Sequence, residues 1–272
     1  MQYFVQRWYT AWQMASVPPK QNLSKWQHFL QRRRMFRNWY KVVFPFNRLF
    51  NHQTKLVLRN GYEVWVRSVF SGDLTTVEGV LHQDEYGEAL KGLPPDAVIY
   101  DLGANIGTFS IAAKKACPHA RIVAYEPEAQ NFVLLQKNAP FAELHQEAVA
   151  GVSGHISFDA SSHPYAHRIS KEGTTTLVAR ALGDVLADAH IHLAKIDIEG
   201  AEHDALELAD PALFARVGRI IMETHHLGTW GKEKLEALGY TARWCYRLLW
   251  MGQTQTQWYT AREFSLCVLS SR

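Results

Sequence analysis

A chain of 272 residues, 47% of them apolar, is long enough to bury a large core without disulfides or a structural metal. Its three cysteines, Cys117, Cys245 and Cys267, are odd in number and form no CxxC pair, which argues against a disulfide framework or thiolate zinc site and for the reducing cytoplasm. The net charge of +3 is segregated: residues 1–62 carry eleven Lys or Arg and no Asp or Glu, whereas the remainder holds 18 basic against 26 acidic residues, a net of −8.

The basic segment also holds fourteen of the 33 aromatic residues, among them Trp8, Trp12, Trp26 and Trp39. No stretch reaches the roughly 18 uninterrupted apolar residues of a membrane-spanning helix, and Arg7 interrupts MQYFVQRWYTAWQM where a signal peptide needs an apolar run. Spacing at Trp26, Phe29, Leu30 and around Phe36 predicts two short helices within a basic, aromatic-rich extension, residues 1–50, interrupted at Pro18-Pro19 and ended near Pro45. Three roles suit it: peripheral contact with the inner face of a membrane, a nucleic-acid arm, or a helical cover or dimer contact. The lack of an RNA-binding motif and the acidity of the remainder weigh against nucleic acid.

Residues 51–95 read as a hairpin and a lead-in. KLVLRNGYEVWVRS alternates on either side of Asn60-Gly61, a pair whose tolerance of positive φ suits a type I′ turn. From residue 96 to 272 the pattern becomes strand, turn, helix and strand again. AVIYD, RIVAYE, LHQEAVA, HLAKIDI and RIIMET read as strands, with helices at TFSIAAKKA, EAQNFVLLQKN and AEHDALELA. Such alternation predicts an α/β domain with a parallel sheet covered on both faces. HISFDA and TTTLVA add strands around a polar loop, Ser161 to Gly173, whose His163, Tyr165, His167 and Arg168 are candidates for an acceptor pocket. TARWCYRL and EFSLCVLS form a candidate closing pair.

VIYDLGANIGTFSIAA runs from a buried strand through Asp101, Gly103, Ala104, Asn105 and Gly107 into a helix. Gly103 permits a sharp turn and Gly107 a close approach at the helix start. A dinucleotide and S-adenosylmethionine (SAM) compete for such a turn. The third glycine of GxGxxG is missing, and Asp101 at the strand end suits an ammonium group better than a pyrophosphate, which favours SAM. About twenty residues on, Glu126 ends the next strand, where a carboxylate accepts hydrogen bonds from both ribose hydroxyls of an adenosine.

In HLAKIDIEGAEHDAL, Lys195, Asp197, Glu199 and Glu202 stand among apolar residues, and four ionisable groups at one strand end suggest a cleft. VIYDLGANIGTFS, AYEP, KIDIEGAE and IIMETH, in that order, resemble the FkbM family of methyltransferases, over roughly residues 70–272. The resemblance implies a Rossmann-like SAM-methyltransferase sheet of about seven strands, the last antiparallel, and O-methylation of a small-molecule or saccharide acceptor. It also implies that Asp101, Gly103, Ala104, Asn105 and Gly107 hold the methionine end, that Glu126 holds the ribose, and that Glu147 and Ala148 lie beside adenine.

Methyl transfer to a hydroxyl requires alignment, which supplies ~7–11 kcal/mol, and a base. Asp197, at the end of the KID strand, is the first candidate base, with the alternatives of orienting Lys195 or capping the next helix. Lys195, Glu199, and His225 after the strand RIIMET are further catalytic candidates, and Glu223 is a candidate substrate contact. His225 and His226 lack HxH or HExxH spacing, so no metal is expected. The state of association is open, an oligomer included.

Overall fold

The computed structural model describes residues 25–43, 53–67, 72–159, 168–169, 175–187, 190–223, 230–245 and 265–269. Alternation in the two halves of the hairpin puts Leu56, Val64 and Val66 on one buried face, and β1 (Thr54–Val57) pairs antiparallel with β2 (Glu63–Val66), Thr54 opposite Val66. The turn is not the two-residue type I′ expected. Leu58 N–H donates to Tyr62 O at 2.8 Å, Gly61 N–H returns to Leu58 O at 3.1 Å, and within Arg59-Asn60-Gly61 only the glycine has positive φ, +92°. This is a three-residue loop closed by a left-handed glycine. Asn60 instead spends its side chain outside the turn, its amide donating to Leu81 O at 2.6 Å.

Helices at Lys25–Met35 and Tyr40–Val43 precede the hairpin; the first carries the spacing at Trp26, Phe29 and Leu30, whereas the spacing around Phe36 does not form a helix. Phe36 bridges to Leu58, Arg37 N–H donates to Val57 O at 2.7 Å, and Met35 and Phe36 are buried in one core with Leu56, Ile99, Phe109 and Leu193. Residues 25–43 are therefore a cover packed on the α/β body.

The apolar runs beyond residue 96 leave no polar face for water, so their strands need cover on both sides. β3 (Val98–Leu102), β4 (Arg121–Tyr125) and β5 (Glu143–His145) are connected through helices Thr108–Ala116 and Ala129–Asn138. The expected single strand LHQEAVA is split. It leaves the sheet at Gln146-Glu147, and β6 (Ala148–Ala150) joins β7 (Gly154–Asp159), β8 (Arg168–Ile169) and β9 (Thr175–Ala181) in a separate sheet ordered β6-β9-β7-β8. β10 (Ile191–Ile196) and β11 (Val217–Glu223) return to the main sheet, and β12 (Ala242–Cys245) pairs antiparallel with β13 (Ser265–Leu269) as the closing pair. The seven-stranded order is β5-β4-β3-β10-β11-β13-β12, parallel at every junction except the two made by β13. This is the α/β sheet with its last strand antiparallel. Among the described residues no helix is long and apolar enough to cross a membrane.

Two features of this sheet place a site. The chain leaves β3 towards β4 on one side and resumes with β10 on the other, so a crevice opens above the carboxyl ends of β3 and β10. Strand periodicity then decides what faces it. Ile99, Leu193 and Ile221 point into the core shared with the hairpin, while Tyr100, Leu102, Ala194, Ile196 and Met222 point into the opposite core. Asp101 and Lys195 share the parity of the first set and are direct cross-strand partners.

If residues 25–43 belong to the folded body, Phe36→Ala, at a fully buried site, lowers the unfolding free energy by about 3 kcal/mol or more in a urea titration. A loss below about 1 kcal/mol would show that the cover is only loosely attached.

Candidate active site

The turn after β3 is shaped by three left-handed residues, Gly103 (φ +82°), Asn105 (φ +51°) and Gly107 (φ +87°). A Cβ on Gly103 would lie 1.7 Å from the carbonyl oxygen of Asp197, so the turn and the end of β10 touch backbone to backbone and only glycine fits. Gly103 and Ala104 N–H both donate to Tyr125 O, at 3.0 and 2.8 Å, which fixes the other flank to β4. Gly107 begins helix Thr108–Ala116 with no side-chain cap, leaving the N–H groups of its first turn for solvent or an anion. Asn138 ties this loop to the hairpin: its Nδ2 donates to Ile106 O (2.7 Å) and Trp65 O (2.9 Å), and its Oδ1 accepts from Trp65 N–H (2.7 Å).

Beneath the turn lies a buried ion cluster. Lys195, 5% exposed, donates to Gly103 O at 2.8 Å and stands 3.4 Å from Asp101 Oδ1 and 3.2 Å from Asp197 Oδ2. Burial alone would lower the ammonium's pKa. The charges of Asp197, Asp101 and Glu223 outweigh burial and hold it well above the usual lysine value. Asp101 is wholly buried and its Oδ2 accepts from Ser110 Oγ at 2.6 Å, so the ammonium it meets is the chain's own. Asp197 does not cap the following helix, whose N-cap is Ala201. Its Oδ2 faces Lys195 and its Oδ1 is buried without a hydrogen-bond donor.

Glu126 is buried beside the turn and holds three donors: Asn105 N–H (2.7 Å), Glu128 N–H (2.9 Å) and Asn131 Nδ2 (3.1 Å). Burial raises its carboxyl to about 7 even though all three bonds favour the anion. Glu147 is half-buried and forks onto Arg180 at 2.7 and 3.2 Å, which pulls its carboxyl below the usual range, and Ala148 is buried in β6. The Glu147 side chain is thus engaged by an arginine that the sequence reading did not assign.

Glu199 is exposed, at φ +53°, in the bend before helix Glu202–Leu208. Glu202 is fully buried and accepts from Ile198 N–H at 3.1 Å, closing that bend. Glu223 ends β11, and its charge, after burial itself and together with that of Asp197, raises the hydroxyl pKa of buried Tyr86, which comes from the lead-in. His163, Tyr165, His167, His225 and His226 lie outside the described residues, and only the backbone of Arg168 falls within them. Ser110, Asn131 and Asn138 were missed because each reads as an ordinary helical residue until the fold supplies its partner, and Tyr86 because it lies in the lead-in. A shallow cleft lined by His190, Val217, Gly218 and Tyr240 lies at the other end of β10 and β11 and meets none of these groups.

The family described as a methyltransferase FkbM domain matches residues 101–248, more than half of the chain. The AMB antimetabolite synthetase AmbE of Pseudomonas aeruginosa is 28% identical over 236 residues, covering 69% of this chain and 10% of that protein. The hexuronic acid methyltransferase AglP of Haloferax volcanii is 30% identical over 155 residues, covering 53% of this chain and 62% of that protein. The chain thus spans a tenth of the first relative's length and less than two thirds of the second's. A crystal structure titled methyltransferase FkbM from Methylobacillus flagellatus overlaps 71% of this chain and 52% of that one, with a TM-score of 0.47 and 15% identity.

The Glu126 environment makes stability depend on pH. Its folded pKa lies above its unfolded value near 4.5, so the contribution is fully present below about 4.5 and is lost as pH rises through about 7. Urea titrations should show wild type weakening over that window relative to Glu126→Gln, by up to about 3 kcal/mol. Parallel pH profiles for the two proteins would show that the buried carboxyl does not titrate there.

Proposed function

The chain belongs to the FkbM family of methyltransferases, and we propose that it transfers the methyl group of SAM to a hydroxyl of a saccharide, on a glycan, glycolipid or glycosylated metabolite. Support for the saccharide comes from the hexuronic acid methyltransferase among its relatives. For the cofactor, the fit rests on the turn, where a Cβ has no room, and on two buried acceptors without donors, Asn105 Oδ1 and Asp197 Oδ1. When bound, SAM supplies an electrophilic methyl carbon on a sulfonium.

On this reading the backbone from Gly103 to Gly107 holds the methionine end, with the uncapped helix N-terminus facing its carboxylate. Asp101 acts from below, through Lys195 and Ser110, by keeping that turn in place. Glu126 accepts the ribose hydroxyls, and the loop from His145 to Ala148 lies beside adenine. Asp197 is the base: Lys195 fixes one oxygen, and the other is free of donors and would take the hydroxyl proton of a bound acceptor. Lys195 keeps two carboxylates and the turn in register and has no direct part in the proton transfer. Glu199, exposed in the bend after β10, is left as an acceptor contact. The observation that carries the reading is this half-satisfied Asp197 pressed against the glycine turn.

Calorimetric titration tests the cofactor: S-adenosylhomocysteine binds and NAD does not, and Glu126→Gln weakens the product by about 10- to 100-fold, the worth of a hydrogen bond to a charged group. Transfer of labelled methyl from SAM into saccharide fractions tests the rest, with Asp197→Ala lowering the rate by about 100- to 10,000-fold. Undiminished transfer by Asp197→Ala removes it as the base, and binding of NAD in preference removes the methyltransferase reading of the crevice.

A further inference from the structure

The helix Lys25–Met35 has two unlike sides. At positions 31, 32 and 35 it faces the body: Gln31 donates to Glu78, Arg32 is largely desolvated beside the same glutamate, and Met35 is in the core. At positions 30, 33, 34 and just beyond the helix at 37 it faces outward, and these residues are Leu30 (44% exposed), Arg33, Arg34 and Arg37. Spacing of i, i+3 and i+4 puts Leu30, Arg33 and Arg34 in one stripe, and Arg37 is exposed in the turn that follows the helix. Ion pairs among the described residues involve none of the three arginines.

Rings stand next to these cations. The Arg33 guanidinium lies 5.9 Å from the centre of the Trp39 ring, Trp39 meets Phe29 edge to face at 5.5 Å, and Tyr40 is 53% exposed. The helix macrodipole accounts for cations in a last turn. It accounts neither for Arg37, past the helix end, nor for an outer face beside which exposed aromatic and aliphatic side chains stand without one carboxylate. No Asp or Glu occurs before Glu63, while the rest of the chain is net acidic, so a negatively charged surface is attracted at this face and repelled elsewhere.

We infer that the outer face of residues 30–40, formed by Leu30, Arg33, Arg34, Arg37 and Tyr40, is a docking surface for an anionic phospholipid bilayer, with the arginines at the phosphates and Leu30 and Tyr40 in the headgroup layer. Cations flanked by one exposed ring, Tyr40, and one exposed aliphatic side chain, Leu30, match that interface, where charge attracts and amphipathic rings bury. The inference goes beyond methyl transfer and stands without it.

Co-sedimentation of the full chain with phosphatidylcholine vesicles, with and without phosphatidylglycerol, tests the surface. Wild type is expected to pellet with the anionic vesicles alone and to be released by salt. The exposed triple substitution Arg33→Gln, Arg34→Gln, Arg37→Gln is expected to keep the wild-type unfolding midpoint and to lower the partition coefficient by about 100-fold, roughly fivefold for each cation near the lipid surface. Single substitutions serve if the triple variant unfolds, each with its own roughly fivefold loss. Pelleting of a folded variant equal to that of wild type overturns the inference, as does equal pelleting with uncharged vesicles. Salt-sensitive retention on single-stranded RNA without retention on vesicles would assign the face to nucleic acid and also overturn it.

Discussion

A single ammonium group organises the carboxyl end of this sheet. Lys195 is carried on a strand buried on both faces, where a charge costs several kcal/mol unless it is compensated, and compensation comes from Asp101 on the neighbouring strand, Asp197 two residues on, and the carbonyl of Gly103. A well-packed apolar residue would serve stability as well or better. What it would not do is hold two carboxylates and a glycine turn to one point, and that gives the cluster a functional reading.

The rest of the site follows from that arrangement. Because Gly103 O is held by Lys195 while Gly103 and Ala104 N–H are held by Tyr125, the turn cannot shift towards either strand. Asn105 is left in a left-handed conformation with its N–H on Glu126, which links the end of β4 to the turn. Asn138 passes the constraint on to the hairpin through Ile106 and Trp65, and the hairpin carries the cover formed by residues 25–43. The basic outer face of that cover is thus mounted on the same rigid body as the crevice.

Much of this was legible in the sequence because it is periodic. Buried parallel strands announce themselves as apolar runs, and TFSIAAKKA and EAQNFVLLQKN have the apolar spacing of the helices they form. Asp101, Glu126 and Asp197 stood out as charges at the ends of such runs. Lys195 stood out with them, and its pairing with Asp197 was one reading, but pairing across strands depends on register: that Lys195 lies opposite Asp101 can be read only once β10 is known to sit beside β3, about ninety residues away in the chain. The same limit hid the Glu147–Arg180 fork and the break of LHQEAVA between two sheets. Nor does the Asn-Gly pair by itself reveal that Asn60 reaches across to Leu81 and the loop closes on Gly61 alone.

That Lys195 and Asp197 act as a unit is open to direct measurement by a double-mutant cycle on urea unfolding, comparing Lys195→Met, Asp197→Asn and the pair with wild type. Each single change unbalances the charge of the buried cluster, so the expected result is a double variant less destabilised than the sum of the two, with a coupling of about 2 kcal/mol or more. Losses that add to within about 0.5 kcal/mol would mean that the ammonium and the carboxylate stand near each other without holding each other, and the organising role given to Lys195 would be contradicted.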